Sequence, residues 1–349
     1  MARATLADVS LHAGVSRSTA SLVLNNSPEI PESTKLRVRA SMAELGYVYN
    51  RRAASLRNQK SMALGLVVTE IRNPYFAELA MTLEDVAYAH GYALFVCYSR
   101  DDVSRQDVLI ARLLERGIDG LVLLPAAATE AANIDQLLEG SRTPLVLLAR
   151  HFGLQHDYVG ADNRLAGELL GRHLGAIGTK NVVMIGGPVG TSASLERAEG
   201  LSAGLAESAV QFTPPERYSS PTTALGGAQA TAALLDKGTL PDAIVAFSDV
   251  TAVGVYAELS ARGLEPGRDV AVAGFDDIPS SAHQVPPLTT VATFPAAIGE
   301  KCAELILQTI ADPRASGPDS KQHLPHILVT PELRIRASTA SWRPRNTSN

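Results

Sequence analysis

Residues 12–26 read "HAGVSRSTASLVLNN", and the only charged side chain between Asp8 and Glu29 is Arg17. Small hydroxyl residues crowd around it: Ser16, Ser18, Thr19 and Ser21. Gly14 breaks the pattern, because glycine enters a left-handed turn without a Cβ penalty. Upstream, Thr5 can cap a first helix through Leu6, Val9 and Ala13, with Asp8 placed for an imperfect capping box. Downstream, Ser16 can cap a second helix to about Leu24, ended by Asn25, Asn26, Ser27 and Pro28. Pro31, Glu32 and Ser33 then open a third, with Leu36, Val38, Met42 and Leu45 as its apolar side and Gly46 as its stop. Two helices joined by the tight "AGVS" turn make a helix-turn-helix. The second helix of that motif lies in the DNA major groove, and its early residues meet base edges. Small side chains permit close approach. Arg17 can make a bidentate contact to guanine, while Ala20, Val23 and Leu24 face inward. A plain packing helix with a solvated hydroxyl face is the competing reading of the same residues.

Charge supports the contact surface. Residues 1–60 carry nine Lys/Arg and four Asp/Glu, a balance of +5 in a chain whose net charge is −5, so the remainder carries −10. A basic head on an acidic body points to a polyanionic partner.

The rest of the 349 residues has another rhythm. Continuous apolar runs occur at 62–69, 92–98, 119–124, 144–149, 181–187, 242–247 and 269–275. Amphipathic, helix-length segments lie between most of them, at 75–90, 104–116, 163–176, 195–207, 225–236, 250–262 and 295–311. Buried strands alternating with helices predict α/β architecture with parallel sheets, and this length predicts two lobes. Ligands in such folds sit at the carboxyl ends of strands or between lobes.

At 46% hydrophobic and 19% charged, the chain is expected to be globular. No apolar run is long enough for a membrane span, and "MARATLADVS" lacks the apolar core of a signal peptide. Cys97 and Cys302 are far apart and have no metal-ligand spacing. These features predict a cytoplasmic protein with no metal or cofactor. No GxxxxGK[ST] or GxSxG motif occurs, "GGPVG" (186–190) is a lone turn, and "HFGLQH" (151–156) and "HLPH" (323–326) are weak metal pairs. No catalytic constellation is visible.

The segment "TLADVSLHAGVSRSTASLVLNN" resembles the T-[IL]-x-D-V-A-x-x-A-G-V-S-x-x-T-V-S-x-x-L-N pattern of the LacI/GalR family of transcriptional regulators. "RVRASMAELGYVYNRRAASLR" resembles the stretch that follows in that family. In the body, "RNPYFAEL", "LLAR", "VGADNRLAG", "AFSDVTAVG" and "VAGFDDIPSSAHQVPPLTTV" resemble further family motifs. The resemblance implies an all-α three-helix head joined by a hinge helix to a two-lobed α/β domain like the periplasmic binding proteins, with three crossovers between lobes. It divides the chain into a head (1–47), hinge (48–61), effector-binding and dimerisation domain (62–340) and tail (341–349). The first lobe would take 62–161 and 292–324, and the second 162–291 and 325–340.

For DNA, the resemblance implicates Thr5, Ser16, Arg17, Ser18, Thr19, Ser21, Leu22, Asn25, Tyr47, Asn50, Ala53 and Leu56. Leu56 would wedge into the minor groove, with Arg51, Arg52 and Arg57 near phosphates. Two departures stand out. Tyr49 replaces the usual proline, which leaves hinge folding more dependent on DNA. Leu22 cannot hydrogen-bond a base and reads at most a thymine methyl.

For the effector, the resemblance implicates Arg197 and Asp276 first, then Phe76, Tyr75, Arg150, Ser248 and Asp162. A planar guanidinium and a carboxylate together can grip a vicinal diol, and an aromatic ring can stack on a sugar face. Ala149 replaces an acid in "LLAR". Arg150 and Arg197 lean the expectation toward a ligand with negative charge. The implied partners are double-stranded operator DNA with an imperfect palindrome, a carbohydrate or sugar acid, and a second copy of the chain. The tail has no apolar heptad, so a dimer is expected rather than a coiled-coil tetramer. A sugar-binding protein without a DNA role and a sugar-modifying enzyme are the alternatives.

Overall fold

The computed structural model describes residues 4–24, 27–47, 60–153, 155–238, 240–312 and 325–344. It divides into two compact units, residues 1–61 and 62–349.

The first unit contains α1 (Leu6–His12), α2 (Arg17–Leu24) and α3 (Glu32–Glu44). A full capping box opens α1: the Thr5 N–H donates to Asp8 at 2.8 Å, and the Asp8 N–H donates to the Thr5 hydroxyl at 3.3 Å. Gly14 takes a φ of +62° between α1 and α2. The core is small: Val9, Ala13, Ala20, Val23 and Val38 are buried, with Ile30, Met42, Leu45 and Tyr47 packed around them. Leu36 is a correction to the expected apolar side of α3, since it is 60% exposed while Ser41 takes a buried place. Leu24 is only half-buried. The hinge helix expected at 48–61 falls on 48–59, outside the described residues.

The second unit opens with β1 (Ala63–Val68), α4 (Pro74–Ala89), β2 (Ala93–Tyr98), α5 (Val103–Glu115), β3 (Gly120–Leu123), α6 (Ala131–Leu138), β4 (Leu145–Leu148) and β5 (Asp157–Ala161). The chain then crosses to α7 (Asn163–Ala176), β6 (Asn181–Ile185), α8 (Ser192–Leu205), β7 (Gln211–Thr213), α9 (Ala224–Leu235), β8 (Ala243–Ala246), α10 (Asp249–Ala261), β9 (Ala271–Asp276) and β10 (Thr289–Ala292). It returns as α11 (Pro295–Ala311) and β11 (His326–Val329), then ends as β12 (Glu332–Arg334) and α12 (Ala337–Ala340). The first sheet runs β11-β5-β4-β3-β1-β2 and is parallel throughout. The second runs β12-β10-β9-β8-β6-β7, parallel except for β12, which is antiparallel to β10.

The inner strands of both sheets are covered on two faces, which explains their continuous apolar runs, whereas β2 at the sheet edge is largely exposed. In the first lobe, Leu64, Leu66 and Val68 face α4 and α11, while Val67, Leu121 and Leu123 face α5 and α6. In the second, α7 and α8 lie on one face and α9 and α10 on the other. Each strand order reverses between its first and third strands, so each lobe has a switch-point crevice at its carboxyl edge.

Several boundaries are corrected. Residues 326–329 belong to the first sheet, because β11 pairs with β5; the last crossing therefore falls between β11 and β12 rather than at 325. Trp342, placed in the tail by the sequence, is buried in the second lobe's core. Strands β5, β7, β10, β11 and β12 and helix α6 had no distinct signal, being short or broken by polar residues.

Candidate functional site

On the head, Arg17, Ser18 and Leu22 are exposed, and Thr19 and Ser21 are half-buried. The Ser16 hydroxyl is engaged as the cap of α2, accepting the Thr19 N–H at 3.0 Å and lying 2.7 Å from the Ser18 hydroxyl. The Thr5 hydroxyl is likewise held by Asp8. Tyr47 packs half-buried against the small core. Asn25, Asn50, Ala53 and Leu56 lie outside the described residues.

In the body, the carboxyl ends of both sheets surround a cleft of about 240 Å³, on the scale that suits a small ligand. Strand ends supply its wall: Thr69 and Glu70 after β1, Tyr98, Arg100 and Asp101 from β2, Ala149 and Arg150 after β4, Phe247 and Ser248 after β8, and Asp276 on β9. Helix starts add Asn73, Tyr75, Phe76, Asn163 and Arg197.

Arg197 is the most constrained of these. Helices α7 and α8 pack through glycines: a Cβ at Gly167 would collide with the Arg197 carbonyl, and one at Gly200 with the Arg164 carbonyl. That close contact brings Asn163 and Arg197 together. The Arg197 guanidinium donates through Nε to Asn163 Oδ1 (2.9 Å), through Nη1 to the Phe247 carbonyl (2.6 Å) and through Nη2 to Asp276 Oδ1 (3.3 Å). The Phe247 and Phe275 rings lie against it, with centres 4.9 and 4.7 Å from the guanidinium carbon. Guanidinium has five N–H donors, so these three bonds leave two.

Asp276 is buried at a φ of +111°. Burial raises its pKa to about 6, opposed by Arg197 and by the Asn73 amide. Tyr75, from the other lobe, is close enough for Asp276 to reinforce the upward shift that burial imposes on its hydroxyl. The Tyr75 and Phe76 rings meet edge to face at 5.0 Å. Arg150 is buried against Asp101 at 2.8 Å, and Ser248 caps α10 by accepting the Thr251 N–H at 3.3 Å. Asp162 is a correction: it does not line the cleft. Its carboxylate caps α7, accepting the Leu165 N–H at 2.9 Å. Its neighbour Asn163 reaches the cleft instead. Asp277 also turns away, pairing with Arg336 at 2.7 Å.

Asn73, Asn163, Phe247, Asp101 and Arg100 were missed as site residues. Asn73 and Asn163 sit inside the quoted motifs, and the two β2 residues follow from the strand-end rule. Phe247 carried no signal separating it from core. Among the described residues, no group of three or more His, Cys, Asp or Glu could hold a metal ion, and no helix is long and apolar enough to cross a membrane.

The chain resembles known proteins along nearly its whole length. Residues 61–334 match the family model "Periplasmic binding proteins and sugar binding domain of LacI family", and residues 5–50 match "Bacterial regulatory proteins, lacI family". The chain is similar to the HTH-type transcriptional repressor PurR of Haemophilus influenzae (strain PittEE), 28% identical over 97% of this chain and 99% of that protein. It is 32% identical to an uncharacterized HTH-type transcriptional regulator in the aml 5' region of Streptomyces limosus, over 97% of this chain and 95% of the relative. Among solved structures, the Lac repressor dimer bound to operator and the anti-inducer ONPF shares the fold, with a TM-score of 0.81 at 23% identity, covering 97% of this chain and 99% of that one. A CelR–cellobiose complex gives a TM-score of 0.70 at 27% identity, covering 96% and 100%.

Proposed function

This chain belongs to the LacI family of bacterial regulatory proteins, and from that premise we propose that it is an operator-binding transcriptional repressor controlled by a sugar or sugar acid held between its two lobes. The observation that carries the effector site is the Arg197–Asp276 pair, buried at the second lobe's strand ends and presented to the cleft. It supplies donor and acceptor side by side, the combination a diol needs. The cellobiose-bound CelR, which matches nearly the whole chain, supports a carbohydrate ligand.

A ligand that binds one degree of lobe closure better than another shifts the population toward it, and by no more than that difference in affinity. On this reading the shift reaches DNA through a hinge of residues 48–61, where Asn50 and Ala53 accompany the Leu56 wedge. Two copies present two recognition helices to an imperfect palindrome, with Arg17 as the principal base reader. A protein with this task works in the cytoplasm, on the nucleoid.

The test is a gel shift against an imperfect palindrome from the neighbouring promoter, across salt concentrations and with a sugar panel. Binding that weakens with salt and responds to one sugar is expected. If the protein ignored the palindrome at low salt while binding a sugar tightly, the regulator reading would be lost.

A further inference from the structure

The cleft wall carries four guanidiniums, Arg72, Arg100, Arg150 and Arg197, and three carboxylates, Glu70, Asp101 and Asp276. Every carboxylate already has an arginine: Arg72 on Glu70 at 2.9 Å, Arg150 on Asp101 at 2.8 Å and Arg197 on Asp276 at 3.3 Å. The two arginines that first pointed to a negatively charged ligand, Arg150 and Arg197, are therefore neutralised within the protein. Arg100 is the surplus cation. Among the described residues it has no carboxylate partner, and its guanidinium lies 5.8 Å from the Tyr98 ring centre. Arg105 approaches the same ring at 6.0 Å. The uncompensated charge on the cleft wall therefore sits at Arg100, just after β2.

The backbone there is unusual. Arg100 and Asp101 both take left-handed φ values, +62° and +57°. For side chains with a Cβ this region is sterically costly. Asp101 offsets part of it by accepting from Arg150 and from the Ala127 N–H at 3.0 Å. The turn places Arg100 on the cleft wall beside a fixed ion pair.

We propose that the effector bears an anionic group, a carboxylate or a phosphate, held by Arg100 at the first-lobe wall, while Arg197 and Asp276 take hydroxyls from the second lobe. This rests on the cleft being the effector site. Closing the lobes over a neutral ligand would take water from an uncompensated guanidinium, which is costly. An anion makes that closure favourable through charge-assisted, planar hydrogen bonds. Lysine in place of Arg100 would keep the charge without the fork.

The experiment is calorimetric titration of the full-length protein with ribose and ribose 5-phosphate, and with glucose, gluconate and glucose 6-phosphate, at low and high salt. An acid is expected to bind at least tenfold more tightly than its neutral parent, with an advantage that shrinks as salt rises. Arg100→Gln is expected to remove that advantage while leaving the melting temperature of the ligand-free protein unchanged. Preference for gluconate identifies a carboxylate, and preference for a sugar phosphate identifies a phosphate. Equal or tighter binding of the neutral parent, no binding by any acid, or full preference retained in Arg100→Gln overturns the proposal. If a neutral sugar binds and Arg197→Ala abolishes its binding, the cleft reading survives without the anion. Sugar binding untouched by Arg197→Ala defeats the cleft reading itself.

Discussion

Arg197 bonds to three neighbours and lies against two phenylalanine rings, so its removal has two separable effects. Asp276 would be left buried without its cation, and breaking a buried pair from one side costs about 3–5 kcal/mol. Arg197→Ala is therefore expected to lower the melting temperature of the second unit and to abolish the ligand response in calorimetry, with operator binding retained in a gel shift. An intact response would refute the assignment. Asp249 is the other residue that sets the site's shape. Its carboxylate accepts from Ser281 and Thr290, both at 2.6 Å, and from the Ile278 N–H at 3.1 Å. It approaches β9 so closely that a Cβ at Gly274 would strike it, which is why glycine precedes Phe275 and Asp276. Burial, then the charge of Asp276, push its pKa up to about 8. An unfolded aspartate titrates near about 3.9, so between about pH 4 and 8 the folded protein holds a proton that the unfolded chain releases. Stability contributed by this group is greatest at the acid end of that window and falls as pH rises through it. Asp249→Asn is expected to flatten the decline of melting temperature between pH 5 and 8; an unchanged slope would show that Asp249 is already ionised.

Among the elements, the head helices are the most vulnerable. Three short helices share five buried hydrophobic residues, and so small a core has little stability to lose. Val38→Ala removes two methyl groups from it, a cost of about 2 kcal/mol. Operator binding is expected to fall sharply and a separate low-temperature melting step to appear in calorimetry, while effector affinity stays unchanged. Loss of effector binding as well would show that the two units do not fold independently. Helices α7 and α8 show the opposite regime: their glycines permit backbone contact, and that closeness sets where Asn163 and Arg197 stand. The sequence displays these glycines, but the facing of Gly167 to the Arg197 turn exists only once both helices pack.

Across the whole effector-binding unit, the lobes are joined by more than the three crossings. His151, after β4 in the first lobe, donates its N–H to the Ser192 hydroxyl at 2.9 Å, and its ring lies 2.8 Å from Glu196, both on α8 of the second. Glu196 also accepts from Asn163, which accepts from Arg197, so the bridge leads to the cleft. Val250 and Ile278, second-lobe residues, pack into the first lobe's core. Replacing the His151 ring by Ala removes about 1 kcal/mol from closure, close to fivefold in affinity. Titration of His151→Ala is expected to show that loss with little change in operator affinity without ligand. Undiminished effector affinity would mean that the bridge does not contribute to the closed state.

The sequence alone determined the two-part plan and the order of those elements that carry a continuous apolar run or a helix period. Helix period, caps and buried strand runs are local properties, and Thr5, Ser16 and Gly14 act within a few residues of where they stand. It also placed Arg197 and Asp276 in one site through motif resemblance. Tertiary structure decided what depends on distant neighbours. Residues 326–329 joined the first sheet because β5 offered an open edge, and Trp342 entered a core that no tail pattern announces. Asp162 became a cap and Asn163 a cleft residue, although they adjoin in the chain. The charge of the cleft was decided last, because pairing cancels charge through space: Arg150 and Arg197 are neutralised by Asp101 and Asp276, and Arg100 is left over.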